Sequence, residues 1–154
     1  MKRYDVVVPF PCGLPTELTS NIKIITRAVK RGSELNIPIF ADGDLPAVSY
    51  QGCILSEKVS GRSTTLKLIK LRLVPEAKKN RWKNILVVAE SHHATRCVRD
   101  LKKLGFCAEA DNWQENLCDL ASEAWWTRRL EFLLPREIIL RLLPWRIYEW
   151  LAMK

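Results

Sequence analysis

The chain has 154 residues, of which 47% are hydrophobic and 27% are charged, and its net charge is +8 at pH 7. This length and composition are typical of one folded globular domain, and they exclude a disordered or fibrous chain. The excess of basic residues favours anionic partners, namely phosphates, nucleic acid or acidic lipid head groups, although solvated surface charge explains it equally well.

The five cysteines form no CxxC pair, and no histidine lies at zinc-finger spacing from them. Their odd number fits reduced thiols in a reducing compartment. The first apolar run begins at Asp5, which leaves no room before it for the apolar segment of a signal peptide. We therefore expect a cytoplasmic protein.

Four short apolar runs, rich in β-branched residues and bounded by turn residues, predict β-strands. They cover residues 5–10, 37–41, 85–89 and 106–110. Between residues 46 and 60 the sequence fits either a short helix or a further strand near residues 53–57, and both remain open.

A helix is predicted after the first strand, because Ile22, Ile25 and Val29 recur at helical spacing. Thr19 or Ser20 is suited to cap its start, and residues 32–36 close it.

Two further helices follow from the same spacing. One has Ser63 or Thr64 as its N-cap and Leu66, Ile69 and Leu73 on its apolar face, and we expect Pro75 to kink or end it. The other begins near residue 93 and ends at residue 104, with Gly105 as its stop. Residues 116–132 and 136 to about 153 are predicted to be helical.

Strands that alternate with helices predict a mainly parallel sheet, because parallel neighbours need long crossovers. We expect a single three-layer, Rossmann-like α/β domain. Its core spans residues 4–111 approximately, and a helical C-terminal extension spans about 112–154.

The junction after the predicted strand over residues 85–89 brings polar residues together at the carboxyl end of that strand. They are Glu90, Ser91, His92, His93 and Arg96. Ligands of open α/β sheets bind in the crevice beyond such strand ends, where helix N-termini converge. The sequence therefore predicts a ligand site at this junction.

The segment VVAESHHATRCVRDLKKLGF resembles the YdcF, SanA and ElyC family of bacterial α/β proteins. That family has a strand, a polar turn, a His and, three residues later, an Arg, and the matching residues here are His93 and Arg96. Three residues is close to one helical turn, so the two side chains share a face.

Further segments are similar to the same family. Glu57 resembles its acidic residue, and Ser60, Ser63 and Thr64 resemble its hydroxyl cluster. Arg27 resembles its early arginine.

Gly13 and Gly43 stand where the family has strand-end glycines. The chain departs from the family at both places, since Pro11, Cys12 and Gly13 replace the first glycine pair and Asp42, Gly43 and Asp44 replace the second.

The resemblance implies a limited set of functions, because the family's activity is poorly defined. Members are associated with cell-envelope and lipid-carrier metabolism, and one is similar to proteins that bind S-adenosylmethionine. The resemblance therefore implies a phosphate-bearing or nucleotide-like ligand, with S-adenosylmethionine or a lipid-carrier phosphate as candidates.

A phosphate at the junction would be favoured by the amides at the helix start and by a bidentate contact with Arg96. His93 would act as general acid or base, oriented by Glu57 or Glu90. The ligand-binding set consists of Arg96, Gly13, Arg27, Gly43, Asp44, Ser60, Ser63, Thr64, Glu90 and Ser91.

Structural roles are the alternative for these residues. His92 and His93 would cap the helix, and Arg96 would pair with Asp100 at helical spacing. Metal binding by His92 and His93 with Glu90 or Asp42 is disfavoured, because adjacent histidines point in different directions. Neither GxGxxG nor a Walker P-loop occurs, which disfavours the nucleotide chemistry of those motifs.

The last predicted helix has an apolar side, and basic residues recur around it too often for a membrane span. We expect this side to pack on the sheet or on a second subunit, and a peripheral contact with an anionic membrane is the alternative. Its apolar residues are Ile139, Leu142, Leu143, Ile147, Trp150 and Leu151.

The leading hypothesis is a protein that binds or acts on a small anionic or nucleotide-like ligand at the strand ends, and whether it is an enzyme is left open. The alternative is a non-catalytic protein whose basic surface binds nucleic acid or an anionic membrane. Nucleic acid is less favoured, because the basic residues are spread over several helices and no nucleic-acid-binding motif occurs.

Overall fold

A computed structural model of the chain describes residues 4–59, 64–113 and 115–154. At its centre is a five-stranded sheet in the order β3-β2-β1-β4-β5, in which every pair of neighbours is parallel. The strands are β1 (Val6–Pro9), β2 (Ile39–Ala41), β3 (Cys53–Leu55), β4 (Asn84–Val88) and β5 (Cys107–Ala110). The four predicted strands are confirmed, and the open segment contains the fifth strand, β3.

Helices cover both faces of this sheet, so the three-layer Rossmann-like α/β architecture is confirmed. They are α1 (Thr19–Leu35), α2 (Thr65–Leu68), α3 (Val74–Asn80), α4 (Ser91–Lys103), α5 (Leu130–Leu142) and α6 (Trp145–Met153). A five-residue π-helical segment, Ile69–Leu73, joins α2 to α3, and a short 3-10 helix, Trp125–Thr127, precedes α5.

The side chains of β1 alternate between the two faces, as the pleat of a strand requires. Val6 and Val8 pack with α4 and with the helical segment from α2 to α3. Val7 packs with Ile24, Ile25 and other residues of α1 on the opposite face. The continuous apolar run in β1 therefore reflects burial on both faces.

Helix α1 is rotated relative to the predicted orientation. Asn21 is buried and holds the turn after β1, because its Oδ1 accepts from the Cys12 amide at 2.9 Å. This contact turns the Asn21 side of the helix inward and leaves Ile22 half-exposed. The predicted cap is also wrong, since Leu18 is the N-cap and Ser20 Oγ instead donates to the Cys12 carbonyl.

The second predicted helix continues past Pro75, but its hydrogen bonding changes there. The Val74 amide bonds to the Ile69 carbonyl, five residues back, and this wider turn accommodates the proline that follows. The chain then stays helical to Asn80. Thr64 caps α2 as predicted, because its Oγ1 accepts from the Lys67 amide at 3.2 Å.

The predicted helix over residues 116–132 is wrong. Local hydrogen bonds replace the helical ones there, since Asp119 Oδ1 accepts from the Ala121 amide and the Asp119 carbonyl accepts from the Ser122 amide. The Glu123 amide bonds to the carbonyl of Leu14, which ties this irregular segment to the turn after β1.

The last predicted helix is two helices. Leu143 is extended, as the residue before Pro144 tends to be, and this ends α5. Helix α5 also starts earlier than predicted and contains Pro135, because Leu133 and Glu137 on either side are buried against the domain. Among the described residues, no helix is both long and apolar enough to cross a bilayer.

A buried ion pair attaches these C-terminal helices to the α/β core. Arg96 of α4 is 4% exposed, and its Nε donates to Glu137 Oε2 of α5 at 2.6 Å. Its Nη1 donates to the Tyr148 hydroxyl of α6 at 2.9 Å, and that hydroxyl donates to Asp100 of α4. One guanidinium thus holds both helices.

Five of the six apolar residues expected to pack on the sheet or on a second subunit do not pack on the sheet, and packing on a second subunit stays a prediction. Ile139, Leu142, Ile147, Trp150 and Leu151 are exposed, because the ion pair turns the opposite sides of α5 and α6 inward. Only Leu143 is partly buried, in a small cluster around Leu66, Tyr148 and Ala152.

We predict that Glu137→Gln lowers the free energy of unfolding by about 3 to 5 kcal/mol, because it leaves the Arg96 charge buried without its principal partner. Urea unfolding measures this change. The control is Glu131→Gln on the exposed side of α5, with an expected change below about 1 kcal/mol. Equal, small losses in both variants would show that the pair does not anchor the helix.

Acid is expected to remove the same stabilisation. Burial raises the pKa of Glu137, but the neighbouring His93, in its protonated form, and Arg96 lower it more, so that it lies well below the usual range. A carboxyl with a lowered folded-state pKa stabilises the fold above its unfolded pKa of about 4.3 and loses this contribution as the pH falls. The stability difference between wild type and Glu137→Gln should therefore shrink below about pH 4, in urea titrations at several pH values.

Candidate functional site

A cavity of about 360 Å³ lies at the carboxyl ends of the strands, beneath the C-terminal helices. Residues that follow β1 and β2 form one wall, and the first turns of α2 and α4 form another. The chain runs outward from β1 to β2 and β3 and returns to the other side of β1 as β4. The β1–β4 boundary is therefore the topological switch point, where ligands of such sheets bind.

The turn after β1 contributes Gly13, which has a φ of +95°. A Cβ at this position would lie 2.3 Å from Ser122 Oγ and 2.7 Å from Thr127 Oγ1, so only glycine permits the C-terminal segment to approach. Asn21 supports the turn from α1 by donating to the Gly13 carbonyl at 3.1 Å. Gly13 thus lies at the cavity, where it lets Ser122 and Thr127 pack closely against the turn.

The turn after β2 contributes two carboxylates, Asp42 and Asp44. Asp42 is 2% exposed, and its Oδ1 has no hydrogen-bond partner among the described residues. Burial, together with the charge of Asp44, raises the pKa of Asp42 to about 6. Asp44 itself is paired with Lys58, whose Nζ lies 3.3 Å from Asp44 Oδ1. Asp42 is therefore a buried acceptor beside the cavity.

The start of α4 is capped by Glu90 and not by a histidine or Ser91. The Glu90 carboxylate is fully buried and accepts from the amides of His92 and His93, each at 2.9 Å. Ser91 Oγ also donates to it, at 3.0 Å. Because these amides already have a partner, the expected phosphate site at this helix start is occupied by the protein's own carboxylate.

His93 lines the cavity and is held by Arg96 and Thr65. Its Nδ1 lies 2.9 Å from Arg96 Nη2, and its Nε2 lies 3.4 Å from Thr65 Oγ1. A guanidinium only donates, so Nδ1 is the acceptor and the proton of the neutral ring resides on Nε2. In this arrangement His93 offers a hydrogen-bond donor, or an acid, toward the cavity.

Arg96 lines the cavity, but its donors are engaged within the protein. Besides Glu137 and Tyr148, it contacts His93 Nδ1 and Thr65 Oγ1 through Nη2. Its predicted bidentate contact with a ligand phosphate is therefore incompatible with this geometry. The buried pairing with Glu137 raises the pKa of Arg96, in opposition to burial itself, so its charge is permanent.

A second arginine, Arg136 of α5, lines the cavity with its side chain one-third exposed. Its Nη1 donates to Glu137 Oε1 at 2.8 Å, and its guanidinium lies 5.0 Å from the ring centre of Trp126. No local sequence pattern links Arg136 to the site, because 43 positions separate it from His93 and the docking of α5 brings them together.

Glu57 does not orient His93, and this expectation is corrected. Its side chain is 89% exposed and lies 3.7 Å from Arg72, outside the cavity lining. Glu137 is the carboxylate beside the ring, with Oε1 3.7 Å from His93 Nδ1. A buried acid on a mostly apolar helix gives no sequence signal that distinguishes it from a surface residue.

The other candidate residues divide between the cavity and the rest of the fold. Gly13, Asp44, Thr64, His93 and Arg96 line the cavity.

Outside the lining are Arg27, which pairs with Asp111 at 2.6 Å, and Gly43, which packs on the Lys58 backbone. Glu90 and Ser91 belong to the α4 cap. Ser60 and Ser63 lie outside the described residues.

Comparisons of the chain with protein-family models, with curated proteins and with solved structures found no match. The residues of this chain and their contacts are therefore what supports a function.

Proposed function

We propose that the chain binds a small nucleotide-like, phosphate-bearing ligand in the strand-end cavity. The observation that carries this proposal is the buried Asp42 Oδ1, which lacks a hydrogen-bond partner among the described residues and belongs to the cavity wall at the switch point. Ligand pockets for small molecules typically measure about 300 to 1,000 Å³, and this cavity of about 360 Å³ lies within that range.

The ionised form of Asp42 is costly to the fold. A pKa raised from 3.8 to about 6 corresponds to destabilisation of the folded state by about 3 kcal/mol at neutral pH. A buried carboxylate with a raised pKa beside a cavity is a candidate for ligand contact, because groups with perturbed pKa values concentrate at functional sites. The Gly43 and Asp44 amides already bond this carboxylate and oppose the rise of its pKa, so a donor on the ligand would be an additional partner, at Oδ1.

The position of Asp42 favours a sugar hydroxyl as this donor. Asp42 directly follows β2, where the acidic residue that bonds the ribose hydroxyl lies in dinucleotide-binding sheets, although this chain lacks their GxGxxG turn. The observed sheet order, with β1 between β2 and β4, is the order to which this rule applies. The ribose end of the ligand is therefore assigned to Asp42.

The anionic end of the ligand is assigned to Arg136 and His93. Arg136 supplies a cation at the cavity wall, and His93 supplies the Nε2 proton. Phe10, Trp126 and Leu133 add apolar surface to the lining, which suits a base or another flat group.

If His93 acts as an acid on a bound ligand, it does so through Nε2, since the other ring nitrogen is held by Arg96. The proposed activity of the cavity is binding. The resemblance to the YdcF, SanA and ElyC family supports the same ligand class and includes S-adenosylmethionine and lipid-carrier phosphates in it. The five free cysteines suit the proposed cytoplasmic location.

A nucleic-acid-binding function has less support from the charge distribution. Several basic side chains are paired with acids, including Arg27 with Asp111, Lys70 with Glu149 and, within α4, Arg99 with Asp100. Filter binding over a salt series would distinguish this alternative, because nucleic-acid affinity falls steeply as salt rises.

We predict that Asp42→Asn weakens ligand binding at least tenfold while it stabilises the unliganded protein by about 1 to 3 kcal/mol, because the buried charge is removed. Calorimetric titration with adenosine, AMP, ADP, ribose 5-phosphate and S-adenosylmethionine first identifies a binding probe, and urea unfolding measures stability. The control is Glu57→Gln, a carboxylate outside the cavity, with unchanged affinity. Absence of binding by every compound, or equal affinity of Asp42→Asn and wild type, would contradict the proposal.

The pH dependence of adenosine binding tests the same carboxylate without a titrating phosphate. Because the folded-state pKa of Asp42 is raised to about 6, the carboxylate protonates as the pH falls through that value, and the charged acceptor is lost. Affinity for adenosine should fall between pH 7 and 5 in wild type and in His93→Gln. It should be constant in Asp42→Asn, and a persistent slope there would assign the titration to another group.

A further inference from the structure

The C-terminal helices present a large apolar surface away from the sheet. Among the described residues, eight of the thirteen exposed large hydrophobic side chains lie between residues 125 and 151, and these eight are 42% to 78% exposed. We call them the outer apolar face: Trp125, Phe132, Ile138, Ile139, Leu142, Ile147, Trp150 and Leu151. Isolated exposed hydrophobic residues are ordinary, but a contiguous group of this kind indicates an interaction surface.

The outer apolar face is a consequence of how α5 and α6 dock. Glu137 and Tyr148 both reach inward to Arg96, so the opposite sides of the two helices are turned outward. On α5 the outward side repeats at helical spacing through Phe132, Ile139 and Leu142. The exposure is therefore fixed by the buried ion pair and does not reflect frayed helices.

Basic residues border this face. Arg128 and Arg129 are exposed at the start of α5, and Arg146 and Lys154 are exposed on α6. From residue 125 to 154, Glu131 is the one exposed acidic residue, since Glu137 is buried and Glu149 is partly buried against Lys70. An apolar surface with a basic border is complementary to an anionic bilayer, which offers acyl chains beneath negative head groups.

The aromatic residues of the face suit the same partner. Trp125 and Phe132 pack with ring centres 5.4 Å apart, and the Lys154 ammonium lies 3.6 Å from the centre of the Trp150 ring. Tryptophan favours the boundary between head groups and acyl chains, because its ring is apolar while its N–H needs a polar partner.

A second copy of the chain fits this face less well. Symmetric pairing would bring the four exposed basic side chains of each copy to one interface, with Glu131 alone to offset them.

We propose that the outer apolar face docks on an anionic membrane surface, with α5 and α6 lying along the bilayer. Leu151 belongs both to this face and to the cavity lining, so the docked surface borders the cavity. Docking is independent of the ligand proposed above, and a failure of either leaves the other intact.

Co-sedimentation of the full chain with vesicles tests the docking. One set of vesicles contains equal parts of phosphatidylcholine and phosphatidylglycerol, and the other contains phosphatidylcholine alone. We expect binding to the anionic vesicles to be at least tenfold stronger and to weaken as salt rises. The double variant Ile139→Ser, Leu142→Ser should bind at least tenfold more weakly.

The matched control is Ile22→Ser with Leu71→Ser, which removes two half-exposed hydrophobic residues from other helical segments and should bind like wild type. Circular dichroism checks that both double variants are folded, and Arg146→Glu gives a second test through charge alone. Absence of binding to anionic vesicles overturns the proposal, as does wild-type binding by the Ile139→Ser, Leu142→Ser variant. A wild-type dimer that this variant converts to a monomer, in sedimentation velocity without lipid, would assign the face to a second copy and also overturn it.

Discussion

The contact between Arg96 and Glu137 is the interaction on which the C-terminal half of the molecule depends. A guanidinium that is 4% exposed needs a buried carboxylate, and α4 alone offers it only Asp100, 3.8 Å away and already bonded to Arg99 and Tyr148. Glu137 therefore fixes α5 against α4. The position of α5 in turn determines which residues cover the cavity, which charged groups line it and which side of the C-terminal helices is exposed.

Local sequence patterns were sufficient for most of the parallel sheet, because β1, β2 and β4 are short apolar runs buried on both faces. The rule that ligands bind at strand ends also located the cavity, with His93, Arg96, Gly13 and Asp44 on its wall. What the patterns could not supply was the partner of Arg96. Its carboxylate lies 41 positions later, on a helix whose apolar residues suggested the opposite orientation.

The outward orientation of these apolar residues has a physical cause. An amphipathic pattern normally turns its apolar side toward the core. In α5, however, the buried salt bridge turns the Glu137 side toward the core, and Ile139 and Leu142 on the other side are exposed to solvent. Likewise, the irregular segment before α5 depends on side-chain hydrogen bonds of Asp119 and on the close approach of Ser122 to Gly13, which involve residues distant in sequence.

The three-residue spacing of His93 and Arg96 has a different meaning from the one expected. It places both side chains on one face, but Arg96 then bonds His93 Nδ1 and Glu137 and has little left for a ligand. The cation that the proposed function assigns to the cavity wall is Arg136, which shares Glu137 with Arg96. Glu137 is thus the common partner of the arginine that holds the fold and of the arginine at the cavity, so ligand binding and the position of α5 should be coupled.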